Sequence, residues 1–143
     1  MKIAISSDHA GVEYKRALVE FVQELGYFIE DLGPYNEDSV DYPDFAHKLA
    51  EKVLSKEADL GIVLCGTGNG VAMAANKHQG IRAGLCWNKE IASLIRQHND
   101  ANILALPARF VNVEEAKEIV KAYLETPFEG GRHQRRVDKI ACM

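Results

Sequence analysis

A three-layer α/β/α sandwich on a five-stranded parallel sheet is the fold class this sequence predicts, and three observations carry the prediction. Short apolar runs recur five times along the chain. Each is followed by a stretch whose apolar residues return at the helical period. Strands that alternate with helices pair in parallel and need helices on both faces of the sheet. The third observation is size: 143 residues, 47% of them apolar, suffice for one hydrophobic core, so a single domain over residues 1–143 is expected.

The elements follow in order. Lys2–Ser6 reads as the first strand and Ser7-Asp-His-Ala-Gly11 as the turn after it. Tyr14, Ala17, Leu18, Phe21, Val22 and Leu25 fall on one helical face, and Gly26 stops that helix. Tyr27–Asp31 is the second strand. Residues Leu32 to Asp44 are expected as a long loop, a feature that serves function more often than connection. Phe45–Ser55 then reads as a helix burying Phe45, Leu49 and Val53. Ile62 to Leu64 belong to a buried third strand ending at Cys65, and Val71–Lys77 opens a short helix. Ile81–Cys86 is the fourth strand. Asn88 caps a helix with Ile91, Ala92 and Ile95 facing inward, which runs out at Gln97-His-Asn-Asp100. Ala101–Leu106 is the fifth strand. Asn112, with Glu115 three residues on, forms a capping-box start for a helix carrying Ala116, Ile119, Val120, Tyr123 and Leu124, which Thr126-Pro127 ends. The tail from Gly130 to Ile140 reads as a last helix with Arg132 and Arg136 four residues apart on one face.

Composition excludes several classes of function. A formal net charge of −4 argues against a general nucleic-acid or membrane-surface binder, which would carry a basic excess. Cys65, Cys86 and Cys142 are odd in number and widely spaced, with no CxxC pair, as expected in a reducing compartment without a disulfide framework. The first apolar run is too short for a signal peptide, and no run approaches a membrane span. A cytoplasmic enzyme is the expectation. No histidine pair has HxxxH or HExxH spacing, so no metal site is expected.

The chemistry concentrates in Gly61-Ile-Val-Leu-Cys-Gly-Thr-Gly-Asn-Gly-Val71, where a strand delivers a thiol into alternating glycines. Gly66, Gly68 and Gly70 permit close backbone approach to a ligand. The N–H groups opening the next helix favour negative charge, on a ligand or on a thiolate at Cys65. This is neither the dinucleotide fingerprint, since Val71 stands where its third glycine would be, nor a P-loop, which needs Gly-Lys-Ser/Thr. A cysteine at a strand end also serves as a small core residue. Asp8, His9, Cys65, the glycine loop and Arg109 all follow strand C-termini, where α/β proteins bind ligands. Such a thiol could act as a nucleophile, or as a base removing a proton next to a carbonyl, with the loop N–H groups stabilising the enediolate. The arginines favour a phosphorylated substrate.

Six blocks in order make the reading more specific. Ser7-Asp-His-Ala-Gly11, Asp41-Tyr-Pro-Asp44, Cys65-Gly-Thr-Gly-Asn-Gly70 with Ala74-Ala-Asn-Lys77, Gly80-Ile-Arg-Ala83, Arg96-Gln-His-Asn-Asp100 and Gly130-Gly-Arg-His-Gln-Arg-Arg136 together resemble the ribose-5-phosphate isomerase B family. That family includes isomerases of galactose 6-phosphate and allose 6-phosphate. The resemblance implies a Rossmann-like fold and a cofactor-free, metal-independent aldose–ketose isomerase of D-ribose 5-phosphate and D-ribulose 5-phosphate in the pentose phosphate route. By it, Cys65 is the base, His98 helps open the furanose ring, and Thr67 shuttles a proton between O1 and O2. Gly66, Gly68, Asn69 and Gly70 hold the enediolate, Asp8 and Asn99 bind sugar hydroxyls, and Tyr42 walls the site. His9, Arg109, Arg132 and Arg136 form the phosphate set. The resemblance also implies a homodimer, or a dimer of dimers, whose sites are shared, the C-terminal helix reaching the partner subunit. Asn69, Val71 and Ala72 supply no acid, so the thiol is the base to expect. A hexose 6-phosphate isomerase and a non-catalytic sugar-phosphate sensor are the alternatives.

Overall fold

The computed structural model of the chain describes residues 1–142. Strands β1 (Lys2–Ser7), β2 (Phe28–Asp31), β3 (Leu60–Cys65), β4 (Ala83–Leu85) and β5 (Ile103–Pro107) pair in parallel in the order β2-β1-β3-β5-β4. The described residues also form α1 (Val12–Glu24), α2 (Tyr42–Leu54), α3 (Asn69–Ala75), α4 (Lys89–Gln97), α5 (Val113–Glu125) and α6 (Arg132–Asp138), with a 3₁₀ turn at His9–Gly11. None of these helices is long and apolar enough to cross a membrane.

Alternation along the buried strands builds two cores. Leu60, Ile62 and Leu64 of β3 join Leu18 and Val22 of α1, Ala92 of α4 and Ile119, Val120 and Tyr123 of α5 on one face. Val63 and Cys65 face the other way, onto Ala46, Leu49, Ala50 and Val53 of α2 and Val71 and Ala75 of α3. The thiol therefore points into the layer made by α2 and α3. Each fully buried Leu, Ile or Val contributes roughly 1.5–3 kcal/mol, so the position of Cys65 at the end of β3 is held by a well-packed strand.

Several boundaries differ from the sequence expectation. Helix α2 starts at Tyr42, not Phe45, because Pro43 lies in its first turn, where a missing N–H breaks no helical bond. Its buried residues are Ala46, Leu49, Ala50 and Val53, and Phe45 is only partly buried. Helix α3 starts at Asn69, two residues before Val71, after Gly68 takes a left-handed φ of 75°. Tyr27 falls outside β2, because its N–H closes the end of α1 on Val22 O at 3.2 Å while Gly26 bonds Gln23 O at 2.9 Å. That pair of bonds, with Gly26 at φ 95°, is a Schellman ending. Ile81 is buried yet lies in a turn, its N–H on His78 O, so β4 starts only at Ala83. The last helix covers Arg132–Asp138, since Gly130 and Gly131 take left-handed φ of 68° and 56° before it.

Both expected caps are present. Asn88 Oδ1 accepts from Ile91 N at 2.9 Å, and Asn112 and Glu115 form a complete capping box. One buried charge has no sequence signal: Lys15, in the inward stripe of α1, is 1% exposed and places Nζ 2.6 and 2.7 Å from the two Asp31 carboxylate oxygens. Asp31 also accepts the Gly33 N–H, so the pair fastens the loop after β2 to α1.

Candidate active site

The strand order places β1 beside β3, with β2 outside β1 and the rest of the sheet beyond β3. The chain leaves β1 for α1 on one face and β3 for α3 on the other, so the loops after these strands part and open a crevice at the C-terminal edge of the sheet. Asp8 N–H crosses to Leu64 O at 3.0 Å, and the Asp8 side chain accepts from Ala10 N at 2.9 Å, fixing the turn after β1. His9 Nδ1 accepts from Val40 N at 3.2 Å, which leaves Nε2 of the neutral ring as a donor. On the other side Ala108 N and Arg109 N donate to Cys65 O and Gly66 O at 2.9 and 3.0 Å.

Each glycine of the loop makes room for one neighbour. A Cβ on Gly66 would lie 3.1 Å from Arg109 Cδ and Nε, so the arginine stem runs across that position. A Cβ on Gly70 would lie 2.5 Å from Tyr42 Cε1, so the tyrosine ring covers Gly70. Gly68 combines its left-handed φ with a close approach to the Leu106 backbone, at 3.1 Å from the position of a Cβ. That conformation turns the Gly68 N–H onto Cys65 Sγ at 3.2 Å. Cys65 is 6% exposed, while Thr67 is exposed and its Oγ1 accepts from Asn69 N at 3.2 Å. The structure thus gathers Asp8, His9, Tyr42, Cys65, Gly66, Thr67, Gly68, Asn69, Gly70 and Arg109 at one edge.

His98, Asn99, Arg132 and Arg136 belong to the opposite edge. Helix α4 begins after the C-terminal end of β4 and ends where the chain returns to start β5, and His98 caps that end. Nine helical residues at 1.5 Å each put His98 about 14 Å from the start of α4. The turn is fastened by Arg96, whose Nη1 reaches Asp100 Oδ1 at 3.1 Å and Ala101 O at 2.7 Å. Helix α6 docks beside it: His133 stacks on His98 with ring centroids 4.4 Å apart and planes 14° apart. Glu129 lies 3.4 Å from His133 Nε2 and 3.9 Å from His98 Nε2. A cleft of about 320 Å³ between residues 76–82 and Val137, Ile140 and Ala141 lies along the same edge. Glu129 and His133 carry no assignment from sequence reading, because Glu129 precedes α6 and reaches His133 only through the left-handed Gly130 and Gly131.

The chain matches known proteins along its length. The model of the family described as ribose/galactose isomerase covers residues 3–140. Ribose-5-phosphate isomerase B of Escherichia coli is 45% identical over 142 residues, 99% of this chain and 95% of that protein. A crystal structure of a ribose 5-phosphate isomerase from Thermotoga maritima superposes with a TM-score of 0.97 at 52% identity, covering 99% and 98% of the two chains. The Mycoplasma genitalium ribose-5-phosphate isomerase B, solved with bound ribulose-5-phosphate, superposes with a TM-score of 0.93 at 48% identity over 97% and 93%. With a parallel sheet, a thiol in a glycine loop and matches of this extent, the chain belongs to the ribose/galactose isomerase family.

Proposed function

We propose that the chain interconverts D-ribose 5-phosphate and D-ribulose 5-phosphate, with Cys65 as the base. The observation that carries this is Cys65 Sγ at the end of β3, held by the Gly68 N–H inside a loop whose glycines let Arg109 and Tyr42 close in around it. The relative from Mycoplasma genitalium with ribulose-5-phosphate bound favours a pentose phosphate over a hexose phosphate or a sensor role.

His98 gives a proton to the ring oxygen while the C1 hydroxyl gives its own to water, from which His98 is reprotonated, opening the furanose to the aldehyde. The Cys65 thiolate removes the proton from C2, and electron density moves onto O1, where N–H groups of the loop stabilise the enediolate. Thr67 Oγ1 relays a proton between O1 and O2. The Cys65 thiol then returns its proton to C1, giving the ketose and the original thiolate. His9, Arg109, Arg132 and Arg136 hold the phosphate, while Asp8 and Asn99 take sugar hydroxyls and Tyr42 closes one wall.

One substrate cannot touch both edges of a single chain, because proton transfer needs about 3 Å between heavy atoms and α4 alone spans about 14 Å. The reading therefore includes a homodimer in which the Cys65 edge of one chain meets the His98 edge of its partner, α6 reaching across. Trp87 and Phe110, 53% and 73% exposed just past β4 and β5, support a second chain covering this edge.

The test is ribulose 5-phosphate formation by chelator-treated protein, with Cys65→Ala beside it. Turnover in the wild type and a loss of about 10²-fold or more in the variant, with phosphate-sugar binding kept, is expected. Turnover by Cys65→Ala within a few-fold of wild type would remove the thiol from the mechanism.

A further inference from the structure

We infer that His98, Glu129 and His133 form a binding site for a zinc-like divalent cation, and that occupancy switches the enzyme off. The nitrogen and oxygen donors of these three residues lie within 4.8 Å of one another. Tetrahedral zinc with bonds of 2.0–2.1 Å sets its ligand atoms about 3.3 Å apart. The Glu129–His133 separation is already 3.4 Å and the His98–Glu129 separation 3.9 Å. The remaining movement falls to the His98 ring and the Glu129 side chain, which are 42% and 49% exposed, while His133 is held at 11%. Both Nε2 atoms lie toward Glu129, but one ion cannot lie in the planes of two stacked rings, so binding turns the exposed His98 ring out of its stack on His133.

The backbone assembles this trio from distant parts of the chain. Glu129 N–H is bonded to Gln97 O at 3.1 Å, one residue before His98. Gly130 and Gly131 then reverse the chain with two left-handed residues, so that Glu129 comes back over His133 in the first turn of α6. Arg132 and Arg136 are exposed, whereas His133 and Val137 pack inward, so the cationic side chains occupy a different face of α6 from the donors.

Two imidazoles and one carboxylate are a borderline nitrogen and oxygen set, suited to zinc, cobalt or nickel and not to calcium or magnesium, which take oxygen. Three protein ligands leave a position for water. Inhibition rests on the proposed function: an ion on His98 Nε2 takes the nitrogen that ring opening requires.

The experiment uses the full chain, stripped with chelator and titrated with Co²⁺, reading visible d–d absorption, and then with Zn²⁺ in competition. One ion per chain is expected. Removing a direct ligand with His133→Gln or Glu129→Gln should weaken binding by more than the ~10–100-fold typical of an outer-shell partner, while Cys65→Ser and Cys142→Ser bind as wild type does. No binding at micromolar metal, or binding that follows the thiols, overturns the site. Isomerase assays along the same titration separate the two readings. Inhibition that tracks Co²⁺ or Zn²⁺ occupancy and is relieved in Glu129→Gln supports both. Full turnover with the site occupied leaves the ion site standing and counts against His98 in ring opening.

Discussion

Mixing two inactive variants tests whether the site is shared. Cys65→Ala and His98→Asn each remove one half of the chemistry, and the two positions lie on opposite edges of the sheet. If both halves came from one chain, a mixture would contain only dead sites. In a two-fold dimer with shared sites, the mixed dimer has one site that combines both mutated residues and one that combines both intact ones. Random exchange makes half of the dimers mixed, so about one quarter of wild-type activity should appear from two preparations that have almost none. The geometry allows no compromise, since about 14 Å of helix separates the edges and proton transfer tolerates about 3 Å. The assay is ribulose 5-phosphate formation after the variants are unfolded together and refolded, with exchange confirmed by a mass-tagged subunit. Confirmed exchange with no recovery would refute the shared site.

Two further predictions concern buried groups. Asp31→Asn leaves Lys15 buried without its counter-ion and should destabilise the fold by about 3 kcal/mol or more in denaturant unfolding, as breaking one half of a buried pair does; a loss below about 1 kcal/mol would mean that water reaches Lys15. Burial pushes the Cys86 thiol up to about 12 from its ordinary 9.0. Because the folded state holds this proton more tightly, the contribution of Cys86 is complete below pH 9 and is lost as pH rises toward 12. Iodoacetamide at pH 8 should therefore label Cys142, which is exposed, and leave Cys86 unmodified until the protein unfolds, as read by peptide mass.

Much of the fold was legible because parallel buried strands are continuous apolar runs. Leu60–Cys65 and Ile103–Pro107 are buried throughout, and helices with caps such as Asn88 before α4 separate runs of this kind. Local rules failed where an apolar residue was buried outside a strand, as at Ile81, or where a proline read as loop opened a helix, as at Pro43. Lys15 escaped because its burial depends on Asp31, a partner 16 residues away, and on nothing in its own neighbourhood. Glu129 and His133 escaped for the same reason, since His98 reaches them only through the docking of α6.

The sequence by itself marked the residues to consider for the chemistry: a thiol and glycines at a strand end by local spacing, and histidines and arginines at loop and helix ends by resemblance to a family. Only the tertiary structure decided where each one stands. Strand order, and with it the crevice between β1 and β3, depends on which face each helix takes, and that is a matter of packing across the sheet. The division of the candidate residues between two edges follows from the rigid length of α4 and the parallel sense of the strands, which carry the chain from one edge to the other between Cys65 and His98.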